Sequence, residues 1–200
     1  MVRRLKVSCI LPVLEGRAPE FARRAIYYFQ RQTYDLKELV VMAEKPERFA
    51  DLEDPNIKVV RASDTTDTGK VTQGINASDG DVIFRWDDDD ISLPYRISQS
   101  LAEFKVNAAS VMGLTSAFFY DYKSQYIYYG PGIRNDYFHP SGVMWRDAWE
   151  GRNECQPKKF APLEDITVML IGAHEGNTIN KRGWMKYKTF FGVIDDAYRP

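Results

Sequence analysis

Cysteine, histidine, net charge and long apolar runs are all scarce in this chain. Its 200 residues include two cysteines and two histidines, and 27 Lys and Arg residues face 28 Asp and Glu residues. The cysteines, Cys9 and Cys155, are too few for a disulfide framework or a clustered zinc site, which favours a reducing compartment. The balanced charge creates no overall field that would gather nucleic acid or an anionic membrane, so any charged partner must be bound by local groups.

No stretch approaches the ~20 apolar residues that a membrane-spanning helix needs. The basic N-terminus is followed by an apolar run that Pro12 closes, and this run is too short for a signal peptide. The sequence therefore predicts a cytoplasmic protein without a membrane span. A hydrophobic content of 44% can form one sizeable core, so we expect a single domain over residues 1–200.

Strand-like and helix-like segments alternate through the first half of the chain. Residues 6–13 are nearly continuously apolar, as a strand buried on both faces requires, and residues 19–31 repeat apolar side chains at helical spacing. This alternation predicts an α/β fold with a mostly parallel sheet. Further strands are expected at residues 39–42, 57–60 and 82–86, and a further helix at residues 71–77.

The second half is richer in aromatic and β-branched residues. Residues 117–122 and 125–129 flank Lys123 and Ser124, which predicts a β-hairpin, and residues 137–145 resemble another strand. Ser92 could cap a helix with Pro94 in its first turn. Residues 166–171 are expected to form a helix after Pro162.

Four consecutive aspartates, Asp87, Asp88, Asp89 and Asp90, follow the predicted strand at residues 82–86. Open α/β sheets bind ligands at the carboxyl ends of their strands. Adjacent carboxylates beside an apolar strand are unfavourable unless a cation, helix N-H groups or water compensate them. A hard divalent cation that also binds phosphates would neutralise the negative charge of these carboxylates.

Four consecutive aspartates can also occur in a solvated acidic turn or in a calcium-binding loop. A solvated acidic turn that caps the following helix is the simplest interpretation, because aspartates favour helix N-termini without any chemistry. An EF-hand loop is excluded, because its sixth and twelfth positions, counted from Asp87, fall on Ser92 and Ser98 instead of glycine and glutamate.

Several separated motifs resemble those of the family 2 glycosyltransferases. Residues 7–13 (VSCILPV) are similar to the family's opening strand, Gln32-Thr33-Tyr34 to the end of its first helix, and residues 69–83 to the segment that leads to its DxD motif, here Asp87-Asp88-Asp89. The resemblance implies the GT-A fold, a Rossmann-like three-layer sandwich with a mostly parallel central sheet and a small β-hairpin addition. Residues 1–107 would bind the nucleotide sugar, and residues 108–200 the acceptor.

The resemblance also assigns donor-binding roles around the DxD motif. Asp89 would coordinate Mn2+ or Mg2+, and Asp87 would reach the metal through water or the ribose of the donor. Asp88 and Pro12 would also bind the donor. Some relatives add a late histidine ligand, and His174 is the one positioned for it.

Two departures from the family's pattern affect the nucleotide. The family usually places an aspartate pair after its second strand to hold the nucleobase, whereas this chain has Met42-Ala43-Glu44, so only Glu44 could serve. UDP is the commonest donor nucleotide among relatives. The family often has an asparagine where this chain has Thr72, which makes Lys70 the better candidate for a donor contact.

Glu164 and Asp165 resemble the family's ED motif and would lie on the acceptor side. By this resemblance Asp165 would deprotonate the acceptor hydroxyl, and Glu164 would orient either Asp165 or the acceptor. On its own, the pair could simply favour the positive end of a helix. Ser141 and Gly142 correspond to a segment that borders the acceptor pocket, although a strand bulge would explain them equally well.

These features together predict a metal-dependent, inverting glycosyltransferase with a nucleotide-diphospho-sugar donor. The acceptor would be a saccharide, a lipid-linked sugar or a protein, and less readily a nucleic acid. Two alternatives stay open: a metal-dependent nucleotidyltransferase, and a non-catalytic relative that only binds nucleotide sugars. A nucleotidyltransferase would release pyrophosphate, and this chain has no glycine-rich basic loop after its first strand to hold a triphosphate.

Overall fold

The structure is a computed structural model that describes residues 3–107, 109–123, 126–131, 142–149, 160–163, 169–173 and 185–187. Its strands are β1 (Val7–Pro12), β2 (Lys37–Ala43), β3 (Ile57–Arg61), β4 (Val82–Arg85), β5 (Ile91–Ser92), β6 (Val111–Leu114), β7 (Ser116–Asp121), β8 (Tyr126–Pro131), β9 (Val143–Trp145), β10 (Phe160–Leu163), β11 (Met169–Ala173) and β12 (Met185–Tyr187). Its α-helices are α1 (Pro19–Gln30), α2 (Asp67–Ala77) and α3 (Arg96–Asn107), and short 3-10 helices cover Pro46–Phe49 and Arg146–Ala148.

The larger sheet has seven strands in the order β10-β6-β9-β4-β1-β2-β3. Strands β4, β1, β2 and β3 run parallel to one another, and β10 runs parallel to β6. Strand β9 lies antiparallel between β4 and β6. The predicted mostly parallel sheet is therefore confirmed, with β1 and β4 at its centre.

Helices cover both faces of this sheet because its central strands are apolar on both sides. On one face, Val7, Cys9 and Leu11 of β1 pack with the buried residues of α1 and α3. On the other face, Ile10 of β1 packs with Val71 and Ile75 of α2. These three layers match the predicted sandwich and leave the strand ends free to carry a site.

A smaller sheet of five strands lies beside the first, in the order β12-β8-β7-β11-β5. Its centre is the predicted hairpin, in which β7 pairs antiparallel with β8. Strand β5 begins directly after Asp90 and pairs antiparallel with β11. The aspartates therefore lie at the junction of the two sheets.

One predicted helix cap and one predicted helix were wrong, whereas the helix expected after Ser92 is present as α3. Ser92 does not cap a helix: it lies in β5, its hydroxyl accepts a hydrogen bond from Nη1 of Arg96 at 2.8 Å, and α3 begins at Arg96. The helix predicted at residues 166–171 is contradicted at its described end, where Met169–Ala173 is the strand β11. Periodicity cannot distinguish a strand from a helix in so short an apolar run, and β5 and β7 supply the pairing partners.

The other predicted strands and helices of the first half are confirmed within one to four residues at their ends. Of the strand predicted at residues 137–145, β9 covers the described part, and residues 137–141 lie outside the described ranges. No helix in the described ranges combines the length and the apolar content that crossing a bilayer demands. The division into halves at residue 107 stays a prediction.

Gly74 lets α2 pack closely on the sheet, and its replacement by alanine should destabilise the fold. The added Cβ would lie 2.5 Å from Cγ2 of Ile10 and 3.0 Å from Cγ of Met42, so both core side chains would have to shift. Overpacking costs about 1–3 kcal/mol, which exceeds the ~1 kcal/mol that alanine gains over glycine in a helix. Urea unfolding should show a net loss of about 1 kcal/mol in the free energy of unfolding.

Gly16→Ala is the matched control, because no heavy atom lies within 4 Å of the added Cβ. Its free energy of unfolding should stay within about 0.5 kcal/mol of the parent value. An equal loss in the two variants would contradict the packing explanation for Gly74.

Candidate functional site

The aspartate cluster (residues 87–90) lies at the carboxyl end of β4, beside the end of β1. The backbone N-H of Trp86 still donates to the carbonyl of Ile10 at 2.9 Å, so the pairing of the two strands continues up to the cluster. Trp86 is buried and its indole Nε1 donates to the carbonyl of Ala25 in α1 at 2.9 Å. This anchor places the carboxylates at the edge of the core rather than in bulk water.

Three of the four aspartates are almost completely buried. Asp88, Asp89 and Asp90 are 3%, 4% and 3% exposed. Burying a carboxylate is costly unless a positive charge or a hydrogen bond compensates it. This burial excludes the solvated acidic turn, and it requires that compensating groups lie close by.

Arg17 compensates two of these aspartates. Its Nη1 atom pairs with Oδ1 of Asp88 and lies 3.0 Å from Oδ1 of Asp89. Arg17 belongs to the loop between β1 and α1, and its side chain is 21% exposed. Burial alone would lower the pKa of Arg17, but the two carboxylates outweigh it and raise the pKa above its ordinary value.

Arg85 compensates Asp87 from within β4 itself. Its Nε atom donates to Oδ1 of Asp87 at 2.7 Å, and its Nη2 atom lies 2.7 Å from Oδ2 of Asp67. Asp67 is the first residue of α2, so this pairing joins the aspartate cluster to that helix. Burial would lower the pKa of Arg85, but Asp87 and Asp67 more than reverse this effect.

Arg96 is a third guanidinium beneath the cluster. It is 1% exposed, lies 4.6 Å from the ring centre of Trp86, and donates from Nη2 to the carbonyl of Arg85 at 2.7 Å. Burial lowers its pKa, whereas the charge of Asp90 acts to raise it. The cluster is thus held by arginines from a loop, a strand and a helix.

The site keeps an excess of negative charge in the described part of the chain. There, five carboxylates share three guanidinium groups: Asp67, Asp87, Asp88, Asp89 and Asp90 with Arg17, Arg85 and Arg96. Burial raises the pKa of Asp88 to about 6, although Arg17 opposes the rise, and burial also raises the pKa of Asp87. These shifts show that more positive charge would be favourable here.

The donor atoms fit a cation that takes its other ligands from a substrate. Among the described residues, no three Asp, Glu, His or Cys side chains converge to form a complete metal cage. Mg2+ commonly binds through one or two carboxylates, with waters and substrate phosphates as its remaining ligands. Asp87 and Asp89 are carboxylates of this kind at a strand end, so a cation with a bound diphosphate suits them.

Two predicted donor-binding residues, Glu44 and Lys70, are brought together. The ammonium of Lys70 donates to Oε1 of Glu44 at 2.8 Å and to the carbonyl of Val13 at 2.7 Å. Lys70 is 0% exposed, whereas the side chain of Glu44 is 29% exposed. Lys70 therefore orients Glu44 at the end of β2, and any direct donor contact of Lys70 stays a prediction.

The remaining predicted site residues are placed only in part. Pro12 is buried at the end of β1, opposite Met42. Gly142 is buried, and its carbonyl accepts a hydrogen bond from the backbone N-H of Arg85 at 3.0 Å, two residues before the cluster. The other predicted residues lie outside the described ranges: Ser141, Glu164, Asp165 and His174.

Tyr122 joins the cluster to the hairpin and was not predicted. Its hydroxyl donates to the backbone carbonyl of Asp89 at 2.8 Å. Its ring lies edge-on to Phe21 at 5.3 Å, and the guanidinium of Arg24 lies 4.8 Å from the ring centre. Tyr122 therefore holds the backbone of Asp89 between α1 and the smaller sheet.

The sequence carried only a weak signal for the residues that hold the cluster. An arginine in the apolar strand before the aspartates was such a signal for Arg85, because an unpaired charge is rarely buried there. Arg17 and Tyr122 gave none, since each is distant from the cluster in sequence and only the fold brings them near.

Comparison with known proteins identifies a protein family and solved structures of similar fold. The model for "Glycosyl transferase family 2" matches residues 8–147. No curated protein matches the sequence significantly. S. aureus TarS 1–349 in complex with UDP-GlcNAc is similar with a TM-score of 0.62 and 13% identity, over 86% of this chain and 60% of that chain.

Two further TarS structures agree with the first. The 1–349 fragment in complex with UDP gives a TM-score of 0.59 at 12% identity, over 84% of this chain and 60% of that one. TarS itself gives a TM-score of 0.60 at 12% identity, over 84% of this chain and 37% of that chain. At this identity the likeness shows the fold, and the chain spans about 60% of the length of the fragments it matches.

Asp88→Asn should change how the stability of the cation-free protein depends on pH. The pKa of Asp88 rises from an ordinary 3.8 to about 6 in the fold, so the native state binds this proton more tightly than the unfolded state. The resulting stability is complete below pH 3.8 and is lost as the pH rises through about 6.

This loss of stability can be measured by urea unfolding in EDTA at a series of pH values. Between pH 4 and pH 7, the wild type should lose on the order of 2–3 kcal/mol more than Asp88→Asn, since one pKa unit corresponds to about 1.4 kcal/mol. Parallel profiles for the two proteins would show that Asp88 titrates normally.

Proposed function

The chain belongs to glycosyl transferase family 2, and we propose that it transfers a sugar from a nucleoside diphosphate donor to an acceptor hydroxyl in a cation-dependent, inverting reaction. The observation that carries this proposal is the buried aspartate cluster at the end of β4, where five carboxylates meet three guanidinium groups in the described part of the chain. The chain has the GT-A type α/β fold in which such a strand end faces the donor.

On the donor side, Asp89 and Asp87 would hold Mn2+ or Mg2+ against the diphosphate. The bound cation would supply neutralisation of the charge that develops on the departing nucleoside diphosphate. Arg85 orients the Asp87 carboxylate through Nε, and Tyr122 fixes the backbone of the residue that carries the Asp89 carboxylate before substrate binds. Such preorganisation avoids reorganisation during the reaction.

UDP is the proposed nucleotide. The support is that the structurally similar TarS has been crystallised with UDP-GlcNAc and with UDP. Glu44, at the end of β2 and oriented by Lys70, is the residue that we assign to the nucleobase. Pro12, at the end of the neighbouring strand β1, would border the same nucleotide.

On the acceptor side, Asp165 is the proposed base and Glu164 the residue that orients it. The Asp165 carboxylate would take the proton of the acceptor hydroxyl while that oxygen forms a bond to the anomeric carbon, and the bond from that carbon to the diphosphate oxygen breaks on the opposite face. Gly142, which lies beside β4, and Ser141 would border the acceptor. A saccharide, a lipid-linked sugar or a protein are the proposed acceptor classes, and His174 is kept as an additional metal ligand.

The donor proposal can be tested by thermal shift with UDP-GlcNAc and UDP, with Mn2+ and with EDTA. A ligand that binds the native state raises its melting temperature. We expect a shift with Mn2+ that EDTA removes and that Asp89→Asn abolishes. Turnover of Asp89→Asn should fall by at least about a hundredfold, because charge stabilisation of the leaving group is lost.

Asp51→Asn is the matched control for this loss of charge. Asp51 is 67% exposed and pairs with Arg23 away from the cluster, so its replacement should leave the cation-dependent shift unchanged. A donor shift that persists in EDTA would contradict the cation dependence. Release of pyrophosphate from UTP and a sugar phosphate, with no release of UDP from UDP-GlcNAc, would indicate a nucleotidyltransferase.

Asp165→Asn should separate donor binding from transfer. With an acceptor identified by UDP release from a panel of saccharides, lipid-linked sugars and glycosylated peptides, this variant should keep the thermal shift with UDP-GlcNAc and Mn2+. Its rate of transfer should fall by about a hundredfold or more, since a general base contributes 10²–10⁴-fold. Glu164→Gln should lose less, and wild-type transfer by Asp165→Asn would exclude Asp165 as the base.

A further inference from the structure

We propose that Arg17 is a positioning residue that couples the binding of the cation to the binding of the donor diphosphate. In the cation-free protein its guanidinium neutralises Asp88 and Asp89. When a cation binds Asp89, Arg17 leaves that carboxylate and pairs with the diphosphate. This inference rests on the proposed function and extends it to the order in which the two ligands bind.

Arg17 lies where its side chain can exchange partners without disturbing the core. It belongs to neither β1 nor α1, and its backbone N-H donates to the carbonyl of Leu14 at 3.1 Å in the turn between them. Its side chain is 21% exposed, whereas Asp88 and Asp89 are buried. One side of the pairing is therefore anchored in the core, and the other reaches solvent at the mouth of the site.

The contacts of Arg17 converge on one atom. The same Nη1 nitrogen pairs with Oδ1 of Asp88 and with Oδ1 of Asp89, the latter at 3.0 Å. A guanidinium has five N-H donors, so most of its donor capacity is directed away from these two oxygens. Arg17 can thus offer donors to a second anion once one appears beside it.

A cation bound to the Asp89 carboxylate would lie close to the guanidinium of Arg17. Mg2+ binds carboxylate oxygens at about 2.0–2.1 Å, so its double positive charge would come near Nη1 of Arg17, which lies 3.0 Å from Oδ1 of Asp89. The two positive groups would repel each other in a buried site where screening is weak. A cation that binds alone is therefore repelled by Arg17 or has to displace it from Asp89, and either effect weakens the affinity for the cation.

A diphosphate removes this disadvantage. It would bind the same cation, and it presents oxygens that match the planar fork of a guanidinium. Arg17 then exchanges a carboxylate partner for a phosphate partner, so the cation and the nucleotide each bind better when the other is present. This coupling would keep the cation site weakly occupied until the donor arrives.

The test compares Mn2+ affinity in wild type and Arg17→Gln at pH 8, with and without UDP, from the electron paramagnetic resonance signal of free Mn2+. Without UDP, Arg17→Gln should bind Mn2+ about tenfold more tightly than wild type, because no guanidinium competes for Asp89. The factor by which UDP tightens Mn2+ binding should fall about tenfold, within the usual range of such couplings.

Arg23→Gln is the matched control, since it removes the same charge from an exposed pair with Asp51 that lies away from the cluster. It should match wild type in both measurements. Arg17→Lys keeps the charge but loses the planar fork, so its Mn2+ affinity and its response to UDP should lie between those of wild type and Arg17→Gln. It replaces Arg17→Gln in the test if that variant does not fold.

Weaker Mn2+ binding without UDP in Arg17→Gln would overturn the proposal, because that is the effect of a merely structural loss. Unchanged coupling in both Arg17 variants would also overturn it. If wild type binds Mn2+ and UDP together while the Arg17 variants behave as wild type, only this inference fails. If wild type binds neither ligand, the proposed function fails with it.

Discussion

The charge of the buried aspartates is the constraint on which the rest of the site depends. Asp88, Asp89 and Asp90 are buried at the edge of the core, where a carboxylate without a nearby positive charge is unfavourable. Three guanidinium groups stabilise the cluster there. These arginines come from the loop after β1, from β4 and from α3, and Arg85 also binds the first residue of α2. The cluster can exist only where these four segments meet, which is at the carboxyl ends of the central parallel strands.

This arrangement explains how a stable fold can keep a strongly acidic site available. Among the residues that the structure describes, the arginines reduce the negative charge of the cluster without cancelling it, and burial of Asp88 still raises its pKa. A cation brought by a diphosphate would relieve that cost, so ligand binding and stability are expected to be linked at the same carboxylates. Glu44 and Lys70 form a similar but smaller arrangement at the end of β2. There a single buried ammonium orients a single, partly exposed carboxylate.

Much of the fold could be predicted from the sequence, because strong periodic patterns define β1 to β4, α1 and α2, and their order implies a parallel sheet. The errors at Ser92 and at residues 169–171 arose where short apolar or polar runs had no periodicity of their own and pairing between β5, β11 and β7 decided the outcome. The family and the position of the aspartates were predicted correctly. The partners of the aspartates were not, because Arg17 and Tyr122 reach them only through the tertiary fold.

A crystal of the protein grown with UDP and Mn2+, measured at the manganese absorption edge, tests the central claim most directly. We expect an anomalous peak within coordination distance of the Asp89 carboxylate and of the diphosphate of UDP at the end of β4. A nucleotide bound without manganese at that position, with both Asp88 and Asp89 still paired to Arg17, would contradict it.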